Sequence, residues 1–170
     1  MGVLLILPVL LLRYGWMRIL NPNVLPFAAI FPHGEGRDEW QTKLNAWIIN
    51  GIIFSPIFTR IHFSLMGWSV YVAGLIVLAI AVAGFTKRND QGFCDEGIYR
   101  YSRNPMYVGY VLAFLGLGIL IRAWFYWLFF IPFLLTLPAV IRAEEVWCLQ
   151  EYGELYQAYM RQVSRYWGRS

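Results

Sequence analysis

The sequence predicts an all-α, polytopic membrane protein with about five transmembrane helices, a helical hairpin over 105–141 and a cytoplasmic C-terminal amphipathic helix. Three observations predict it. The 170 residues are 59% hydrophobic and only 14% charged, against roughly a quarter charged in soluble domains. The apolar residues gather into segments that approach the ~20 residues needed to cross a bilayer. The cations also sort by face. With five spans, one side receives Arg13, Arg18, Arg37, Lys43, Lys87, Arg88, Arg100, Arg103, Arg142, Arg161, Arg165 and Arg169, and the other only Arg60 and Arg122. That asymmetry predicts a cytoplasmic 86–104 loop and C-terminal tail.

The first segment, from Val3 to about Leu20, is the weakest span, because Arg13 ends its purely apolar run at Leu12. It lacks the basic start and small-residue cleavage site of a secretory signal and is expected to remain in the mature protein. Asn21 to Lys43 reads as a polar connection punctuated by proline and glycine, with room for a short interfacial helix. Leu44 to about Phe58 forms the second span, closed by Pro56 and Arg60. Leu65 to Phe85 is long and uncharged, and forms the third. Pro105 to about Ile121 and Ala123 to Ile141 are separated only by Arg122, which predicts an antiparallel pair with Trp124, Tyr126 and Trp127 near the interface. Beyond them Leu149, Tyr152, Tyr156, Tyr159 and Val163 step by three and four, an apolar and aromatic stripe on a helix that lies against the membrane mouth.

Several classes of function find no support. The net charge of +4 is spread over loops between apolar runs, which is a membrane pattern and gives no nucleic-acid partner. Cys94 and Cys148 fit neither a metal spacing nor a disulfide framework. His33 and His62 are isolated, so no metal is expected. Walker, HExxH, GxSxG and paired CxxC motifs are absent, and nothing implies an obligate protein partner.

Two polar clusters remain, and the bilayer penalises unpaired polar groups in both. In the first, Arg103-Asn104-Pro105 opens the fourth span. Asparagine is a favoured N-cap and proline a favoured first helical residue, and the positive helix end beside Arg103 suits a carboxylate or phosphate. A well-capped transmembrane helix has the same features. Within that helix Gly109, Ala113 and Gly116 form a smooth face for close helix approach. The second cluster is Arg142, Glu144 and Glu145, where the fifth span leaves the membrane. Adjacent helical residues diverge by about 100°, so one glutamate faces a site while the other pairs with an arginine or meets water. A snorkelling interfacial charge cluster is the alternative.

GIYRYSRNPMYVG (Gly97 to Gly109), the hairpin, and RAEEVWCLQEYGELYQAY (Arg142 to Tyr159) together resemble the integral-membrane methyltransferase superfamily. That superfamily includes the isoprenylcysteine carboxyl methyltransferases and the phospholipid methyltransferases. The resemblance implies a single membrane domain over 1–170, with N-terminal spans and connection at 1–85 and a cofactor-binding methyltransferase core at 86–170. It implies S-adenosylmethionine as methyl donor, S-adenosylhomocysteine as product, and a lipid-like or amphipathic acceptor: a prenyl-type carboxylate, a phospholipid amine or a small thiol.

Carried over by position, the cofactor-binding residues are Gln91, Gly92, Phe93, Cys94, Tyr99, Arg103, Asn104, Pro105, Met106, Tyr107, Glu144 and Glu145, and the catalytic set is Arg142, Asn104 and Glu144. Arg142 lies two residues downstream of the substrate-facing arginine of the carboxyl methyltransferases, where this chain has Val140. Asn104 replaces the histidine of the isoprenylcysteine enzymes and resembles the Asn-Pro-Met-Tyr of the phospholipid enzymes. Sterol reductases, which use NADPH, are similar in this region, and Cys148 with Tyr152-Gly153 matches them. They carry Arg-Asp where this chain has Glu144-Glu145. A non-enzymatic membrane scaffold is the third reading.

Overall fold

A computed structural model of the chain describes residues 1–24, 39–87 and 92–168. Among them are five helices and no strand: α1 (Gly2–Leu20), α2 (Glu39–Phe54), α3 (Leu65–Phe85), α4 (Pro105–Ile121) and α5 (Trp124–Gln162). By length and composition α1, α3 and α5 can cross a membrane, α1 despite its Arg13. The 17 residues of α4 and the 16 of α2 are shorter, about 25 Å each at 1.5 Å per residue. The chain is an integral membrane protein.

The five helices run alternately between two poles. At one pole the Gly2 amide donates to the Thr59 carbonyl at 3.0 Å and the His62 amide to the Leu120 carbonyl at 2.8 Å. These bonds gather the start of α1, the end of α2 and the α3–α4 edge. Arg60 and Arg122 lie here, both exposed. At the opposite pole the Asn21 side chain reaches the Thr86 carbonyl at 3.4 Å, joining the ends of α1 and α3. The site described below occupies that second pole.

Small residues decide which helices touch. Gly74 of α3 lies against the Ala113 backbone of α4, and Gly116 of α4 against the Tyr71 backbone. A Cβ on Gly109 would meet the Leu78 amide nitrogen at 2.9 Å. The smooth face of α4 is therefore filled along its length by α3, as close backbone packing in lipid favours. Helices α4 and α5 are joined as a hairpin by the left-handed turn at Arg122 (φ 49°), yet they diverge from it. Near the turn the Tyr126 hydroxyl donates to the Phe114 carbonyl at 2.8 Å. On its other side α5 packs on α2, where Gly51 lies under the Phe129 ring, and α5 stays on α4 as far as the Phe114–Phe133 ring pair. The divergence leaves a cavity between α4 and α5, closed laterally by α1 and α2.

Helix α5 does not stop at the end of its membrane-crossing stretch. It continues through Arg142, Glu144 and Glu145 to Gly153, whose φ of 55° and ψ of −131° break the helical path. Glycine adopts positive φ without the penalty a Cβ brings. The arm beyond the break folds back so that Tyr156, Tyr159 and Val163 bury against Phe93. The predicted stripe thus packs on the chain's own 92–99 connection.

Candidate functional site

The cavity has a volume of about 410 Å³, within the range of small-molecule and cofactor sites. Its character changes along its length. Toward the Gly2 pole the walls are apolar: Ile6 and Val9 from α1, Ile49 and Ile53 from α2, Phe114 from α4 and Phe133 from α5. Toward the opposite pole they become polar and aromatic, with Arg13, Asn104, Tyr107, Glu144, Glu145 and Tyr152.

The 92–99 connection is roofed onto this polar end by hydrogen bonds to both sides. The Tyr99 hydroxyl donates to the Ala81 carbonyl of α3 at 3.3 Å, and the Cys94 thiol to the Phe85 carbonyl at 3.4 Å. From the α5 arm, the Tyr159 hydroxyl donates to the Tyr99 carbonyl at 2.7 Å and the Tyr152 hydroxyl to the Gly92 carbonyl at 3.2 Å. Gly92 has φ +92°, the left-handed region that glycine tolerates. Burial pushes the Tyr99, Tyr156 and Tyr159 phenols well up from their usual value of 10.0, because an ionised phenolate would lose its water. All three are neutral at ordinary pH, and Tyr99 and Tyr159 donate.

Glu144 and Glu145 divide the work of the second cluster. Glu145 is 3% exposed. One of its oxygens accepts from Arg103 Nε at 3.1 Å and Asn104 Nδ2 at 3.2 Å. The other accepts from Arg165 Nε at 3.0 Å and Nη2 at 2.7 Å. That hydrogen bond raises the Arg165 pKa further above its already high value. Glu144, one residue earlier, accepts a short hydrogen bond from the Tyr107 hydroxyl inside the cavity.

Asn104 starts α4 without capping it. Its side chain makes no cap bond; the amide instead donates to Glu145 and to the Arg165 carbonyl at 3.2 Å. A charged, buried carboxylate outcompetes a neutral cap interaction. Arg103 is likewise held within the protein, donating from Nη1 to the Met160 and Val163 carbonyls at 2.8 and 3.1 Å. The 101–104 turn and the 163–168 tail are further laced by the Arg103 amide on the Ser164 carbonyl at 3.1 Å and the Gly168 amide on the Tyr101 carbonyl at 2.8 Å.

Of the residues singled out from sequence, Gly92, Phe93, Cys94, Tyr99, Arg103, Asn104, Pro105, Met106, Tyr107, Glu144 and Glu145 all line this one cavity. Gln91 lies outside the described residues. Arg142 is exposed and absent from the lining: the phase of α5 turns Ile141 and Glu145 inward and so turns residue 142 out. Sequence reasoning missed Arg13, Asn45, Tyr110 and Thr136, which also line the cavity. The available signal was a charge or polar group inside an otherwise apolar span. Among the described residues no group of three or more His, Cys, Asp or Glu is placed to hold a metal.

A family model described as phospholipid methyltransferase matches residues 52–155, from the end of α2 to just past the Gly153 break. No curated protein and no solved structure gives a significant match. The matched stretch is well over half of the chain and contains every lining residue from Gly92 to Glu145, and the chain therefore belongs to the phospholipid methyltransferase family of membrane methyltransferases.

Proposed function

We propose that the chain transfers a methyl group from S-adenosylmethionine to the amine of a phospholipid-like acceptor, and that the reaction takes place in the cavity between α4 and α5. The observation that carries this reading is the cavity's two-part lining, polar and aromatic at one pole and apolar toward the other, in a chain of this family. Such a lining matches an amphipathic molecule whose tails stay in the membrane and whose headgroup meets a water-soluble cofactor.

The residues present fit the cofactor. A positively charged sulfonium is favoured by aromatic faces, which Phe93, Tyr99, Tyr152 and Tyr156 provide at the polar end. The Glu144 carboxylate suits an ammonium, and the start of α4 suits a carboxylate. When bound, S-adenosylmethionine supplies an electrophilic methyl on that sulfonium. An acceptor amine held in line would take that methyl with its lone pair, the carbon–sulfur electron pair leaving with sulfur. The nitrogen then sheds a proton, for which Glu144, hydrogen-bonded to Tyr107, is the facing carboxylate. The chain's share is to hold acceptor and donor in line and to exclude water, which together account for much of such a rate enhancement. The cation asymmetry supports a cytoplasmic site pole, the side from which a water-soluble cofactor would enter.

Calorimetric titration of the purified protein with S-adenosylmethionine, S-adenosylhomocysteine and NADPH tests the cofactor half of the proposal. Binding of both adenosyl ligands without NADPH is expected. Binding of NADPH alone would transfer the site to reduction, and binding of none would remove the enzyme reading.

A further inference from the structure

Arg13 lies outside the residues matched to the family, and neither the cofactor nor the methyl step described above uses it. It sits inside an apolar spanning helix, about 16 Å along the axis from Gly2 at 1.5 Å per residue. The turn that carries it, Leu11–Trp16, is π-helical, a local widening frequent at functional positions. Its guanidinium lines the cavity, with Nη1 donating to the Met106 sulfur at 3.0 Å and the group 5.8 Å from the centre of the Tyr110 ring. Glu144 lines the same cavity from α5 and is near enough for the two charges to interact. On the same face of α1, toward the Gly2 pole, follow Leu10, Val9 and Ile6.

An ionisable side chain at membrane depth that faces a cavity marks a ligand path. A guanidinium presents a planar fork of donors matched to phosphate oxygens. Arg103, which also lines the cavity, is held by Glu145; Arg13 is the guanidinium that α1 brings to the same cavity. The polar end of the cavity then carries a carboxylate from α5 and a guanidinium from α1, with the apolar wall toward the Gly2 pole. A zwitterionic lipid presents the complementary set: amine and phosphodiester in the headgroup, acyl chains beyond them.

We propose that Arg13 is a specificity-determining residue that recognises the phosphodiester of the methyl acceptor and sets its amine at the depth of Glu144, with the acyl chains along Ile6, Val9 and Phe114. The assignment rests on the reading that this cavity takes an amphipathic acceptor. It makes the first helix, beyond the family match, part of the acceptor site.

The test uses the full chain, purified in detergent micelles, and equilibrium binding of three fluorescent probes. One is a diacyl lipid with a phosphodiester-linked ethanolamine; the second carries the same tails and amine on an uncharged ester linker; the third is the tail-free phosphodiester headgroup. Arg13→Gln is expected to weaken the first probe at least tenfold while leaving the second, and S-adenosylmethionine, within twofold. Arg13→Lys keeps the charge and loses the fork, and is expected to fall between. If Arg13→Gln fails to fold, Arg13→Lys carries the comparison through its ratio of affinities for the first two probes; an unchanged ratio would overturn the proposal. Equal weakening of both lipids, or a selective loss of S-adenosylmethionine binding, would overturn it too. Equal affinity of wild type for the tail-free headgroup would remove the lipid assignment. Arg13-dependent binding of the first probe without any methyl transfer to it would leave Arg13 standing and refute the proposed reaction instead.

Discussion

Glu144 and Glu145 are consecutive in sequence and belong to different structures: Glu144 accepts from Tyr107 in the cavity, while Glu145 ties Arg103 to Arg165 beneath it. The first carboxylate faces the cavity. The second holds the 101–104 turn, the α5 arm and the C-terminal tail in one position, and its hydrogen-bonding capacity is filled by protein donors.

Substituting the two residues should therefore give different losses. Glu145→Gln removes the charge that two arginines share and should destabilise the protein by on the order of 3 kcal/mol, since breaking a buried pair strands its partners. Glu144→Gln should leave thermal unfolding nearly unchanged and weaken S-adenosylmethionine by about 1.5–3 kcal/mol, the range for a lost hydrogen bond to a charged group. Unfolding curves and titrations of both variants check this. Equal behaviour of the two would deny the division.

The α3–α4 contact gives a second prediction. Gly116→Leu puts a side chain where the Tyr71 backbone already lies, and overpacking of this kind costs about 1–3 kcal/mol or more. Gly15, whose added Cβ would meet only the Leu11 side chain at 3.8 Å, is a matched control on α1. Gly116→Leu should lower the unfolding temperature and the folded yield well below those of Gly15→Ala. Parity between them would mean that α3 and α4 do not pack through their glycines.

Much of this was legible in the sequence for identifiable physical reasons. Spans announce themselves because lipid excludes charge, and Arg122 marks the hairpin turn because it is the single charged residue between Pro105 and Ile141. Gly109, Ala113 and Gly116 announce a close contact. They do not announce its partner, since smallness permits approach by any helix; that α3 takes this face, and α5 diverges, depends on side chains distributed over the whole bundle. Asn104 has the composition of an N-cap, and only the presence of buried Glu145 forty-one positions away shows why its amide turns elsewhere. Arg13 counted toward topology in the sequence, and its place in the cavity emerges only when α1 packs beside α4. The Arg142-Glu144-Glu145 cluster was visible as a cluster, but the helix phase that exposes Arg142 and buries Glu145 follows from how α5 is seated.

The buried phenols make a pH prediction. Tyr99, Tyr156 and Tyr159 hold their protons more tightly folded than unfolded. Their contribution is fully present below the ordinary tyrosine value of 10.0 and is lost as pH rises toward the raised folded values, because only the unfolded chain ionises readily. Stability should be flat in pH below about 10 and fall above it. Tyr159→Phe, which also loses the bond to the Tyr99 carbonyl, should show a shallower alkaline decline. Complete tyrosinate absorbance near pH 10 with the fold intact would contradict the burial of these rings.

Sidedness is checked by thiol labelling of variants with one added cysteine in intact cells. Trp167 and Arg122 are exposed at opposite poles. Trp167→Cys should react with an impermeant reagent only after permeabilisation and Arg122→Cys before it, each measured against the parent's own Cys94 and Cys148. The reverse pattern would invert the protein and separate its site from the cytosolic cofactor.

The central claim is methyl transfer to an amphipathic amine in the cavity, and one measurement reaches it: incorporation of label from methyl-labelled S-adenosylmethionine into the lipid phase of vesicles containing the purified protein and a phosphodiester-linked ethanolamine lipid. The account predicts label in mono- and further-methylated lipid, strongly reduced by Glu144→Gln and sustained by a control substitution at exposed Trp124. Label found only in water-soluble product, or lipid labelling indifferent to Glu144→Gln, would contradict it.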